Sequence, residues 1–266
     1  MIDLHSHFLY GVDDGARDQK TMITMLRHAS DVGIKKLLAT PHANEHVTPE
    51  VEELIKSRLE EARVLIAQHN LDLDIALAAE VNFNSNLQQW MKRDWVLFGD
   101  QIRYMLFELP MFELPSSISD ILFAMGMEKI KPVLAHPERN HKIRENPEKM
   151  FNWIAQGCLM QVDAGSITGQ FGKKCQLFAD NMLHAGAVHL VASDAHDNNS
   201  RNYSVLSEAR QRVAEMFDDS YAEILFNKNP GLLLNGQLLQ VPEVDESVFE
   251  MSFFEKIRVR FNAIRE

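Results

Sequence analysis

The sequence predicts an α/β fold in a single domain, a distorted (β/α)7 TIM-like barrel, on three observations. Short apolar runs alternate with segments of helical periodicity, the pattern of βαβ units around a parallel sheet. Seven such runs can be marked along the chain. All seven lead into a His, Asp or Glu, and at six of them that residue reads as a candidate ligand, as expected of a barrel whose functional side chains gather at the carboxyl ends of its strands.

The first run, Ile2-Asp3-Leu4, delivers His5 and His7. In an extended chain residues two apart share a side, so both imidazoles can face one ion, which a helix would prevent. The loop Gly11-Val12-Asp13-Asp14-Gly15 follows. Met22, Met25, Leu26, Ala29 and Val32 keep helical spacing, and Gly33 ends that helix. The second run, Ile34 to Ala39, leads into Thr40-Pro41-His42. Thr48 is placed to cap a long helix, with Pro49 at its first position. Ile75 to Ala79 ends in Glu80, and Met105 to Phe107 ends in Glu108. A helix over Ile118 to Met127 leads to Pro132-Val133-Leu134-Ala135, which ends in His136-Pro137-Glu138-Arg139. Asn146-Pro147 opens the next helix. Leu159 to Val162 follows and ends at Asp163, the one strand end with no clear ligand. After a helix over Leu177 to Ala185, the seventh run, Val188 to Ala192, ends in Ser193-Asp194-Ala195-His196. Val205 to Phe217 reads as helical, and Asn229-Pro230-Gly231 as a turn.

With 266 residues, 45% of them hydrophobic, the chain is long enough for one large core. The barrel is expected over residues 1–240. Residues 241–266 are expected to form an amphipathic helix through Phe253, Phe254, Ile257, Phe261 and Ile264, packed on the barrel or extending from it. An oligomer contact or a peripheral membrane contact is the sharper alternative for that helix. No apolar run approaches the ~20 residues of a transmembrane segment, and no signal peptide precedes Asp3, so a cytoplasmic protein is expected. A net charge of −11 argues against nucleic acid as a partner. The two cysteines make neither a disulfide framework nor a zinc finger. They also lack the Cys-x5-Arg loop of thiolate phosphatases, since the sixth residue after Cys158 is Ala164 and after Cys175 is Asn181. No Gly-x4-Gly-Lys-Ser/Thr loop is present.

The remaining chemistry lies in His5, His7, Asp14, His42, Glu80, Glu108, His136, Asp194 and His196. Imidazoles and carboxylates without thiolates suit Mn²⁺, Fe or Zn²⁺. Nine donors are more than one or two ions need, and three divalent ions sharing a bridging carboxylate is the economical reading. Arg139 and Arg201 follow His136 and His196 closely, and a planar guanidinium fits phosphate oxygens. Metals and arginines together fit phosphoester hydrolysis. His28, His69, His141, His184 and His189 lie off the strand ends and read as structural or surface residues; His46 and His141 are near enough to the rim to touch substrate.

These motifs resemble the PHP superfamily, the polymerase and histidinol phosphatase group, and within it the bacterial PHP-type tyrosine-protein phosphatases of capsule and exopolysaccharide operons. The resemblance is carried by Asp3-Leu4-His5-Ser6-His7, Asp13-Asp14-Gly15, Thr40-Pro41-His42, Ala79-Glu80, Phe107-Glu108, His136-Pro137-Glu138-Arg139 and Ser193-Asp194-Ala195-His196 with Arg201. It implies a PHP fold and three metal sites, with Mn²⁺ the first expectation. One ion would take His5, His7, Glu80 and Asp194; a second Glu80, Glu108 and His136; the third Asp14, His42 and His196. Arg139 and Arg201 would bind the phosphoryl group. The implied substrate is the phosphotyrosine tail of a bacterial tyrosine autokinase controlling polysaccharide export. After Arg201 this sequence has Asn202-Tyr203 where a small residue or proline is expected. A histidinol-phosphate phosphatase or another PHP phosphoesterase is the first rival, and an inert binding partner of the polysaccharide machinery the second.

Overall fold

The structure, a computed structural model, describes residues 1–84, 86–241 and 243–249. Among the described residues there are nine strand segments: β1 Ile2–Ser6, β2 Lys36–Ala39, β3 His42–Ala43, β4 Asp74–Leu77, β5 Glu80–Asn82, β6 Arg103–Glu108, β7 Ile130–Ala135, β8 Leu159–Asp163 and β9 Leu190–Ala192. They form a three-stranded sheet, β1-β2-β4, and a six-stranded sheet, β3-β5-β6-β7-β8-β9, in which every neighbouring pair is parallel.

Two of the segments are continuations, so the nine amount to seven strands. The second strand runs through β2, breaks at Thr40-Pro41 and resumes as β3, because Pro41 has no N–H to give the ladder. The third breaks opposite it at Ala78-Ala79 and resumes at Glu80, whose N–H donates to the Pro41 carbonyl at 3.2 Å. Glu80 therefore begins a segment instead of ending one. The barrel closes where β1 meets the seventh strand: Asp194 N–H donates to the His5 carbonyl at 3.0 Å and His7 N–H to the Ala195 carbonyl at 2.8 Å.

The helices cover the outside. They include α1 Gln19–Asp31, α2 Pro49–Gln68, α3 Ile118–Met127, α4 His141–Glu145, α5 Glu148–Ala155, α6 Ala164–Thr168, α7 Lys173–His184, α8 Ser204–Met216, α9 Asp219–Glu223 and α10 Asn229–Leu234. Thr48 caps α2 with Pro49 in its first turn, as its sequence predicts. At α5 the cap position falls to Pro147, not Asn146, whose N–H closes α4 on the Lys142 carbonyl at 3.0 Å. The Asn229-Pro230-Gly231 turn is replaced by α10, since a proline fits the first turn of a helix, where its missing N–H has no partner to lose.

Apolar side chains fall into two clusters. One fills the space between strands and helices, and the other, with Leu4, Leu38, Tyr104, Leu106, Val133, Leu159 and Leu190, fills the barrel. Leu233 of α10 joins the inner cluster, and the Gly236 carbonyl accepts from Ile102 N–H, just before β6. Residues 233–236 thus close the amino end and leave polar groups to the carboxyl end. No helix among the described residues is long and apolar enough to cross a membrane. Most of the predicted terminal helix lies outside the described residues; Phe249 packs edge-on between Phe151 and Phe178, at 5.2 Å from each ring.

Candidate metal centre

β1 and the loop after it present two buried imidazoles with their Nε2 atoms 3.2 Å apart. Each ring is held from behind. His5 Nδ1 is 2.8 Å from Gln161 Oε1, and His7 Nδ1 is 2.7 Å from Asp13 Oδ2. Such partners fix a ring so that Nδ1 carries the proton and Nε2 offers its lone pair. The other oxygen of Asp13 accepts from Gly15 N–H at 2.9 Å. Gly15 passes so close to His7 that a Cβ there would lie 1.9 Å from the His7 carbonyl oxygen. That approach folds the loop back and brings Asp14 Oδ1 to 3.3 Å from His42 Nε2 and 3.4 Å from His196 Nε2.

Glu80 is the hub. It is buried, with Oε2 3.2 Å from His5 Nε2, 3.4 Å from His7 Nε2 and 3.1 Å from His42 Nδ1, and Oε1 3.0 Å from His136 Nε2. Glu108 approaches two of these four imidazoles from β6, 3.5 Å from His42 and 3.8 Å from His136. Asp194 Oδ1 lies 3.3 Å from His5 Nε2 and 3.5 Å from His196 Nδ1. His136 and Asp194 both have left-handed backbones, with φ of 35° and 52°. That conformation is costly for a residue with a Cβ and recurs where a side chain must be aimed at a site.

All nine predicted residues are therefore brought together. Their donor atoms form four overlapping groups: His7, Asp14, His42 and His196; His5, His7 and Glu80; His5, His136 and Asp194; His42, Glu80 and Glu108. His42 Nδ1 and Asp194 Oδ1 are buried without a hydrogen bond. Buried polar atoms of this kind need a partner, and nitrogen and oxygen donors converging without thiolates fit divalent transition ions. The electrostatics agree. Burial would lower the pKa of His5, yet Glu80 and Asp194 raise it to about 10. Burial likewise opposes the rise of His42 to about 11, driven by Asp14 and Glu80. Burial and the charge of Glu80 lift Glu108 to about 7. Asp194 stays well below the usual carboxylate range despite its burial, because His5, Arg201 and His136 surround it. The carboxylates thus demand positive charge within the cluster.

Both predicted arginines reach its edge. Arg139 Nη1 donates to Asp194 Oδ2 at 2.7 Å and to Asp163 Oδ2 at 3.2 Å, and Arg201 Nη2 donates to the same Asp194 oxygen. The Arg139 guanidinium also lies over the Phe171 ring, 4.4 Å from its centroid. Burial, then the charge of Asp194, pushes the Asp163 carboxyl well up.

Sequence reading missed the holders: Asp13 behind His7, Gln161 behind His5, and Asp163 and Phe171 beside Arg139. Asp3 belongs with them, accepting from the Ser193 hydroxyl at 2.6 Å and so joining the first and seventh strands. A signal existed, since Gln161 and Asp163 are polar residues two apart in an apolar run. Of the other histidines, His189 is buried with Nδ1 accepting from Met160 N–H, His28 meets Ser204, His69 meets Arg27, and His184 packs on Phe217. His141 packs on Phe112 with ring centroids 4.5 Å apart, and His46 is exposed.

The family described as capsular polysaccharide synthesis, CpsB/CapC, matches residues 1–235. The tyrosine-protein phosphatase YwqE of Bacillus subtilis is 30% identical over 239 residues, covering 90% of this chain and 93% of that protein. The tyrosine-protein phosphatase CpsB of Streptococcus pneumoniae is 28% identical over 244 residues, covering 90% and 100%. A crystal structure from work on YwqE and CpsB, described as unique metal-dependent tyrosine phosphatases, superposes with a TM-score of 0.84 at 30% identity, covering 92% of this chain and all of that one. A phosphotriesterase homology protein from Escherichia coli superposes with a TM-score of 0.54 at 9% identity, over 87% of this chain and 97% of its own, a likeness of fold alone.

Proposed function

The chain belongs to the CpsB/CapC family of capsular polysaccharide synthesis, and from that membership we infer that it is a metal-dependent protein-tyrosine phosphatase. One observation carries the reading onto its own residues: a nine-donor cluster and two guanidiniums share the Asp194 carboxylate. We assign three divalent ions, Mn²⁺ first and Fe or Zn²⁺ next. His5, His7, Glu80 and Asp194 would hold one; Glu80, Glu108 and His136 a second; Asp14, His42 and His196 the third. When bound, such ions would supply Lewis acidity and make hydroxide available as a nucleophile at neutral pH.

The protein's own groups do the rest. Arg139 and Arg201 bind the phosphoryl oxygens and neutralise the charge that grows on them. Asp194 keeps the two guanidiniums converged, so that substrate meets an ordered pair of donors. Gln161 and Asp13 keep His5 and His7 in the donor tautomer and orientation. The leaving group needs little help, because a tyrosine phenol has a pKa of about 10 and its phenolate departs without a strong acid. Thiolate catalysis is disfavoured: burial pushes up the thiols of both Cys158 and Cys175.

The proposed substrate is the phosphotyrosine tail of a bacterial tyrosine autokinase, met in the cytoplasm. Rates on a phosphotyrosine peptide, histidinol phosphate and a DNA oligonucleotide, compared at equal metal loading, test this. The peptide is expected to be cleaved fastest by far. Preferential cleavage of histidinol phosphate would replace the substrate, and silence on all three would point to an inert partner of the polysaccharide machinery.

A further inference from the structure

We propose that Gln170 and Phe171, on the loop between α6 and α7, are positioning residues that set the aim of both phosphate-binding arginines. The inference rests on the assignment of Arg139 and Arg201 as phosphoryl ligands.

Phe171 acts on Arg139. The guanidinium carbon lies 4.4 Å from the ring centroid, well inside the distance at which an aromatic face attracts a cation. Asp194 and Asp163 hold one nitrogen of that guanidinium. They fix where the group sits, whereas the ring beneath it fixes its plane. The plane decides whether two N–H bonds can meet two phosphate oxygens at once, which is what distinguishes arginine from a point charge.

Gln170 acts on Arg201. Its side-chain amide donates to the carbonyl of Ser200, the residue immediately before Arg201. The turn carrying Arg201 is closed upon itself. Asp197 Oδ1 accepts from Asn199 N–H and Arg201 N–H at 2.6 and 3.1 Å, and the Arg201 carbonyl accepts from His196 N–H at 2.9 Å. A turn so closed keeps its shape but still needs tethers to fix its position against the barrel. Asn198 supplies one by donating to the Thr21 carbonyl at 3.3 Å, and Gln170 supplies the one next to the arginine itself.

Gly165 lets a single loop do both tasks. A Cβ at Gly165 would stand 2.5 Å from the Phe171 ring and 2.8 Å from Gln170 Oε1, while its carbonyl accepts from Gln170 N–H at 2.8 Å. The bare backbone there allows the loop to settle over the end of β8, beside Asp163. Gln170 and Phe171 stand outside the nine-donor cluster, so their effect should separate from metal binding.

The test is steady-state kinetics on a phosphotyrosine peptide with the metal-loaded enzyme, alongside metal content. Phe171→Leu, which keeps apolar bulk but removes the ring, is expected to lower kcat/KM about tenfold with metal content unchanged. Phe171→Tyr restores the face and is expected to stay within about twofold of wild type. Gln170→Ala, at an exposed position, is expected to lower kcat/KM about fivefold. In an Arg139→Ala background, Phe171→Leu should cost nothing further. Wild-type kinetics for Phe171→Leu and Gln170→Ala, equal losses for the Leu and Tyr variants, loss of metal, or an undiminished effect without Arg139 would each overturn the proposal. If Arg139→Ala alone left kcat/KM intact, the phosphoryl assignment itself would fall and take the proposal with it. A damaging Arg139→Ala beside a silent Phe171→Leu would sink only the loop.

Discussion

Arg139 donates to Oδ2 of Asp194 across 2.7 Å, while Oδ1 of the same carboxylate lies 3.3 Å from His5. One buried side chain thus joins the imidazole cluster to the groups that would receive phosphate. Asp194→Ala should therefore do two kinds of damage at once. Turnover of a phosphotyrosine peptide is expected to fall by ~10³ or more, with loss of bound metal. His136→Ala, which removes a donor but no arginine contact, should match it in metal loss. Near wild-type activity in either variant, measured with metal content, would refute the ligand assignment.

Replacing either arginine should separate phosphate binding from metal binding. Arg139→Lys and Arg201→Lys keep the charge but lose the planar fork, so kcat/KM is expected to drop about 100-fold. Metal content should stay at the wild-type level, as elemental analysis would show. Parallel loss of metal would mean that the guanidiniums chiefly neutralise the carboxylates.

Asp13 has no direct place among the nine donors and should still matter. It fixes His7 through Nδ1 and ties itself to Gly15 N–H. Asp13→Ala is expected to weaken metal affinity about 10- to 100-fold. Titration of metal-stripped protein would reveal this, and an unchanged affinity would reduce Asp13 to a loop contact.

His189 predicts an acid-side loss of stability away from the site. Burial lowers its pKa to about 4, whereas an unfolded histidine titrates near 6.5. Between those values the unfolded chain takes up a proton that the folded one refuses, so stability falls as pH drops from about 6.5 and levels off near 4. The full loss amounts to roughly 3 kcal/mol. Unfolding in urea at pH 7 and pH 4.5 should show wild type losing most of that relative to His189→Gln. A difference that does not move with pH would contradict the assignment.

The donor positions were legible because a strand end is a place that sequence can mark: an apolar run stops and a His or carboxylate appears. His5 and His7 were further linked by the two-residue period of an extended chain. What escaped were residues acting on other residues. Asp163 meets Arg139 across 24 positions and Gln170 meets Ser200 across 30, and no local pattern encodes such pairings. The break of two strands at Pro41 and Ala78-Ala79 was not foreseen, although a proline cannot serve the ladder. That Glu80 would open a new segment depended on the Pro41 carbonyl next to it. Asn229-Pro230-Gly231 failed for a plainer reason: a proline that starts a helix and one that starts a turn look alike until the flanking chain is placed.

The cluster's role as the holder of the metals with which the chain hydrolyses phosphotyrosine stands or falls by one experiment. That experiment is phosphate release from a phosphotyrosine peptide with metal-stripped protein, adding back Mn²⁺, Fe²⁺ or Zn²⁺ in turn. The expected result is negligible release from the stripped protein and turnover restored by at least one ion, Mn²⁺ foremost. Undiminished release after stripping, or none with any ion, would contradict it.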